Sequence, residues 1–169
     1  EKNLGHLLDR IREMNVTTVF LQAFADPDAN GSADMVYFPN RYLPMRADLF
    51  NRVAWQIQTR THVSRLYAWM PLLAWDLPAS NPASKDVVVT QQAKDSDHLN
   101  MGYHRLSPYS PEARKVIEGL YQDLAKSTTF DGILFHDDAT LSDYEDASPE
   151  AIKAYQKIGL PADLEEIRN

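Results

Sequence analysis

Cysteine is missing altogether from the 169 residues, which removes disulfides, thiolate metal sites and cysteine nucleophiles. Long apolar runs are missing too. No stretch approaches the roughly 20 residues that a membrane-crossing helix needs, so no membrane span is expected. The first residues, Glu1-Lys2-Asn3-Leu4, run straight into a helical pattern without an apolar leader or a small-residue cleavage site. Any export signal is therefore expected to lie outside this sequence. Neither GxGxxG nor GxxxxGK[ST] follows a candidate strand, which argues against a nucleotide-binding sheet. No HExxH or HxxxH pair, internal repeat or low-complexity segment is present. Basic charge is the scarcer sign, 17 Lys and Arg against 24 Asp and Glu for a net charge of -7. That balance disfavours a nucleic-acid backbone and suits a neutral or cationic ligand.

What is present alternates between helical and strand-like patterns. Leu4, Leu7, Leu8, Ile11 and Met14 recur at helical spacing until Asn15, and the β-rich stretch Thr17 to Phe24 follows. Residues 25–44 hold turn formers without periodicity and read as a long loop. Leu49, Phe50, Val53, Ala54 and Ile57 predict a second helix, with Asp48 near its start, before the strand Ser64 to Met70, which passes Pro71 into Leu72-Leu73-Ala74-Trp75-Asp76. Pro78 to Gly102 shows no pattern. Ser110-Pro111-Glu112 and Ser148-Pro149-Glu150 each combine a capping hydroxyl, a proline at the first helical position and a first-turn acid. Between them, Asp131 to Asp138 is apolar until its last three residues. Helices alternating with strands apolar on both faces predict a parallel α/β sheet, as a barrel segment or as an open doubly wound sheet. One unit spanning 1–169 is expected, well short of the roughly 250 residues of a complete (β/α)8 barrel.

Parallel α/β folds place their sites at the carboxyl ends of the strands. Those ends carry acids and aromatics here: Asp26 and Asp28, Trp75 and Asp76, and His136-Asp137-Asp138. Glycoside hydrolysis uses a carboxylic acid to protonate the leaving oxygen and commonly a second carboxylate, so Asp137 and Asp138 are the catalytic candidates. In a regular strand only one of them can point straight into the site. Asp26, Asp76 and His136 are candidate polar contacts, and Tyr37, Tyr67, Trp69 and Trp75 candidate platforms for sugar rings, with Trp75 beside Asp76 the preferred one. Phe38, Tyr103 and Tyr109 complete the aromatics near strand ends and loops. A caps-and-ion-pairs reading of the two aspartates stays open, as does a metal site on His136 and Asp138 with His104 or Asp76. No cofactor is expected. Asp26-Pro27-Asp28 before Asn30-Gly31 is ordinary turn composition, and Ser107 or Ser110 near His104 lacks the GxSxG elbow of a hydrolase triad.

The stretches Val19 to Asp28, Tyr37 to Arg41, Leu43 to Phe50, Tyr67 to Pro71 and Phe130 to Ala139 together resemble the C-terminal domain of bacterial poly-β-1,6-N-acetyl-D-glucosamine N-deacetylases. The resemblance runs over nearly the whole chain and is weakest from Pro78 to Gly102. It implies part of a (β/α)8 TIM barrel, in a two-domain exported biofilm protein of the periplasm or outer membrane. An N-terminal metal-dependent deacetylase would precede a domain that binds, and is able to hydrolyse, partially deacetylated polymer. The deacetylases' Thr-Phe-Asp-Asp metal motif has no counterpart, so this chain is not expected to deacetylate. The implied partners are the polysaccharide and the outer-membrane export machinery. A module that binds and guides the polymer without cleaving it is the alternative.

Overall fold

The computed structural model describes residues 2–91, 104–161, 163 and 166; Tyr103 and the end of the tract from Pro78 to Gly102 lie outside them. The chain opens with α1, Lys2–Glu13, whose apolar stripe buries Leu8 and Ile11. Asn15 stops it in the left-handed region at φ 52, a conformation asparagine tolerates. Strand β1 follows at Thr18–Gln22. The predicted strand Thr17 to Phe24 breaks at Ala23, and its end together with the predicted loop forms a small antiparallel pair, β2 (Phe24–Ala25) and β3 (Met35–Val36), with Phe24 opposite Val36. Helix α2, Phe50–Arg60, begins at Leu49 with no side-chain cap, so Asp48 does not serve as one. Strand β4 is Arg65–Met70. Helices α3 (Pro111–Ser127) and α4 (Pro149–Lys157) both start as their Ser-Pro-Glu signals predict, with the Ser110 and Ser148 hydroxyls accepting from the N–H of Ala113 and Ala151. Between them runs β5, Gly132–Phe135.

Strands β1, β4 and β5 form a parallel sheet in the order β1-β4-β5, with Phe20 opposite Tyr67, Tyr67 opposite Gly132 and Trp69 opposite Leu134. Side chains alternate across it. Leu66, Ala68 and Met70 of β4 are fully buried. Two clusters divide the core. Leu8, Ile11, Ala54, Ile57, Val63 and Leu66 join α1, α2 and β4, while Met70, Leu73, Trp75, Leu106, Val116, Leu120 and Leu124 belong to a larger one that includes α3. The other face of the sheet carries Phe20, Gln22, Tyr67, Trp69 and Leu134, and it is open: Phe20 is 53% exposed.

That open face is floored by rings. Phe20 and Tyr67 lie 5.3 Å apart, and the residue beside Tyr67 on β5 has no side chain. A Cβ built on Gly132 would stand 2.9 Å from Tyr67 Cε1, closer than nonbonded carbons approach. Gly132→Ala is accordingly expected to displace the Tyr67 ring and lower stability by about 1–3 kcal/mol, the usual range for overpacking; urea unfolding measures it, and an unchanged midpoint would show that Tyr67 yields freely.

Candidate functional site

The carboxyl ends of the three parallel strands converge on a small aromatic and acidic group. Trp69, one residue before the end of β4, is half-buried and stacks on His136, just past β5, with ring centroids 5.7 Å apart and planes 11° from parallel. Phe24 meets both rings edge-on, at 5.7 Å and 6.3 Å. Sequence reading passed over Phe24. The break at Ala23, whose N–H donates to the Trp69 carbonyl at 3.1 Å, turns the chain so that Phe24 comes over β4, and nothing in the local pattern announces that turn.

The two adjacent aspartates part company. The strand ends at Phe135, and residues 137–139 wind into a 3-10 turn, so alternation no longer governs them. Asp137 points to solvent, its side chain 93% exposed, with Oδ1 2.7 Å from His136 Nδ1. His136 Nδ1 is buried and has no hydrogen-bond partner, so the contact is one of proximity and not a hydrogen bond. Asp138 is 0% exposed. Its carboxylate accepts from the backbone N–H of Leu72 at 3.0 and 2.9 Å, of Leu73 at 2.7 Å and of Ala74 at 2.6 Å. Tyr121 stands behind the same loop, donating to the Pro71 carbonyl at 2.7 Å; burial, then the charge of Asp138, push its phenol well above the ordinary value. With both oxygens taken by backbone donors, Asp138 is closed to substrate and to metal, which corrects its reading as a catalytic candidate and as a partner of His136 in a metal site.

Trp75 also departs from expectation. It is 1% exposed, its indole N–H donates to the Leu72 carbonyl at 3.1 Å, and it bridges Ala33, so it is core and not a sugar platform. Tyr37 lines an apolar cleft of about 200 Å³ with Leu21, Gln22, Leu49, Phe50 and Val53. Tyr67 remains on the open face with Phe20. Asp76 is half-buried, 3.6 Å from His104 Nδ1.

Asp26 belongs to a second acidic group. Asp26, Asp28 and Asp34 can bring one ligand atom each within 4.8 Å of one another, close enough to share a divalent cation, and the first two stand in the spacing Asp-x-Asp-x-Asn-Gly with Asn30 and Gly31. That spacing was the available signal. Burial first, then the charges of Asp28, Asp76 and Asp26, raise the Asp34 carboxyl above its usual value. Burial would likewise raise Asp26, but the N–H of Gly31 at 2.9 Å and of Asn30 at 3.1 Å outweigh it and hold that carboxyl low.

The strand ends thus gather aromatic rings, a histidine and one exposed carboxylate among further acids, the kinds of group with which glycoside hydrolases hold and cleave sugars. The family described as hypothetical glycosyl hydrolase family 13 (GHL13) matches residues 1–169, and the chain belongs to it. The poly-beta-1,6-N-acetyl-D-glucosamine N-deacetylases of Escherichia coli K12 and O157:H7 are each 52% identical over 168 residues, 99% of this chain but 25% of theirs. The solved PgaB (BpsB) glycoside hydrolase domain from Bordetella bronchiseptica superposes with a TM-score of 0.90 at 53% identity, over 99% of this chain and 47% of that one. The chain thus spans a quarter of its curated relatives and about half of the solved domain.

The contrast between the neighbouring acids is measurable. Asp137→Asn should leave stability within about 0.5 kcal/mol of wild type, as exposed substitutions do, whereas Asp138→Asn puts an amide against backbone donors and should cost about 2–4 kcal/mol. Paired urea titrations test this; equal losses would contradict the division.

Proposed function

We propose that this chain contributes the catalytic strand ends of a glycoside hydrolase domain that binds and cleaves partially deacetylated poly-β-1,6-N-acetyl-D-glucosamine, with Asp137 as the acid that protonates the leaving oxygen. One observation carries the assignment: of the two adjacent carboxylates, Asp137 is 93% exposed and Asp138 is wholly buried. Proton transfer needs a carboxyl within hydrogen-bond reach of the glycosidic oxygen, and Asp137 can offer one. As the C–O bond breaks, positive charge builds on the sugar ring. Asp26 and Asp76, at neighbouring strand ends, supply negative field for that charge and for the ammonium groups of deacetylated units. Trp69, stacked on His136 near the carboxyl end of β4, gives an apolar ring face that sugars pack on.

The open sheet face supports a larger reading. Phe20 and Leu134 are apolar yet 53% and 38% exposed, as expected of strands meant to be covered on both sides. The full domain is accordingly a (β/α)8 barrel of which residues 1–169 form one part, carried in a protein that also bears a polysaccharide deacetylase domain. It works in the periplasm or at the outer membrane, handing processed polymer to export machinery. No helix among the described residues is long and apolar enough to cross a membrane.

With the whole protein and partially deacetylated polymer, Asp137→Asn should lower oligosaccharide release by about 10²-fold or more, the scale of general acid catalysis, while polymer binding survives. Binding without release by wild type would instead make the domain a guide for the polymer and not an enzyme.

A further inference from the structure

The turn that carries Asp137 is held from two sides. On one side is Asp138, bound to the Leu72–Ala74 backbone. On the other is Arg105, 6% exposed, whose Nη1 donates to the Thr140 carbonyl at 2.7 Å and whose Nη2 meets Glu145 Oε1 at 2.7 Å. Thr140 is the residue that ends the turn. Glu145, its side chain 3% exposed, accepts also from the Thr90 hydroxyl at 2.7 Å and the Ser142 N–H at 3.1 Å. The backbone of Arg105 is itself anchored, since Val88 N–H donates to the Arg105 carbonyl at 2.7 Å and Leu106 N–H to the Leu73 carbonyl at 2.8 Å. Leu73 is one of the residues that bind Asp138. A closed circuit therefore runs from Arg105 through Leu106, Leu73 and Asp138 into the turn, and back through Thr140.

We infer that Arg105, held by Glu145, is a positioning residue that fixes the aim of Asp137; the inference rests on the hydrolase reading above. A buried ion pair is weak evidence for stability, because desolvating two charges offsets most of their attraction. What this pair does supply is geometry. Only the planar guanidinium can reach a backbone carbonyl and a carboxylate in fixed directions at once, and an ammonium offers no such fork. Released at Thr140, the 137–140 turn keeps its Asp138 anchor but gains freedom at the far end, and an acid displaced by about 1 Å loses rate steeply.

The test exploits the chemistry of the leaving group. A polymer alkoxide must be protonated as it departs, whereas a dinitrophenolate needs no proton. The whole protein is assayed on partially deacetylated polymer and on a dinitrophenyl glycoside of a β-1,6-linked glucosamine disaccharide. Arg105→Lys, which keeps the charge opposite Glu145, serves as the principal variant, and Arg105→Met paired with Glu145→Gln removes both charges in case lysine is not accommodated. Arg105→Lys should lower polymer cleavage about tenfold or more while activity on the dinitrophenyl glycoside stays within about threefold, the same selectivity that Asp137→Asn shows in fuller form. A role confined to stability scales both substrates alike, and equal losses, or none, in the variants that fold overturn the inference. Should wild type cleave neither substrate, the hydrolase reading fails and this inference falls with it; wild-type turnover with Asp137→Asn selective and Arg105→Lys unselective removes the inference alone.

Discussion

The carboxylate of Asp138, buried among the N–H groups of Leu72, Leu73 and Ala74, is the interaction on which the arrangement of the site depends. A chain leaving a strand must find partners for its backbone donors or expose them to water. After β4 the chain plunges into the core, with Leu73, Ala74 and Trp75 all buried, and the N–H groups of Leu72, Leu73 and Ala74 turn to one side-chain acceptor. Asp138 takes them. In doing so it joins the loop after β4 to the turn after β5, so that the ends of two adjacent strands cannot move independently. A hydrogen bond to a charged acceptor contributes more than a neutral one, about 1.5–3 kcal/mol, and here several share one acceptor.

Much of the fold was legible beforehand because it rests on local physics. Ser-Pro-Glu at 110–112 and 148–150 marks helix starts through capping and the fixed proline φ, and both helices begin there. The three parallel strands announce themselves by apolar runs at 18–22, 65–70 and 132–135. What stayed hidden depends on contacts between distant segments. The β2–β3 pair is two residues long on each strand, too short for any period to show. The roles of Asp137 and Asp138 cannot be separated in sequence because alternation assumes a continuing strand, and the 3-10 turn cancels it. Trp75 beside an acid looks like a platform until the Leu72 carbonyl claims its indole N–H and the core claims its ring.

Electrostatics follows the same division between anchored and free groups. Burial opposes the charge of Glu145, yet the Ser142 N–H, the Thr90 hydroxyl and the Arg105 guanidinium outweigh it and leave its carboxyl below the usual range. A depressed folded-state value means stability present at neutral pH and lost as pH falls through that value, so the circuit around the turn loosens in acid. Asp34 runs the other way, raised by burial and its acidic neighbours, and its folded form takes up a proton more readily than its unfolded form. The loop held by Arg105 is therefore built for neutral pH, while burial and neighbouring acids oppose the charge of Asp34 there.

The small β2–β3 pair has a bearing on how such a groove can change over time. Because Phe24 and Ala25 are tied to Met35 and Val36, and Asp34 N–H is tied back to the Ala25 carbonyl at 3.1 Å, the nine residues between the two short strands form a tip on a braced stem. Residues can be inserted or exchanged in its exposed part, 27–31, without disturbing the parallel sheet, since the loop-closure cost of added length rises only slowly, whereas Ser32 and Ala33 are buried and bonded to the His104 and Ala74 carbonyls. The stem lets a lineage alter the exposed rim after β1 while the sheet and the Trp69–His136 stack stay in place.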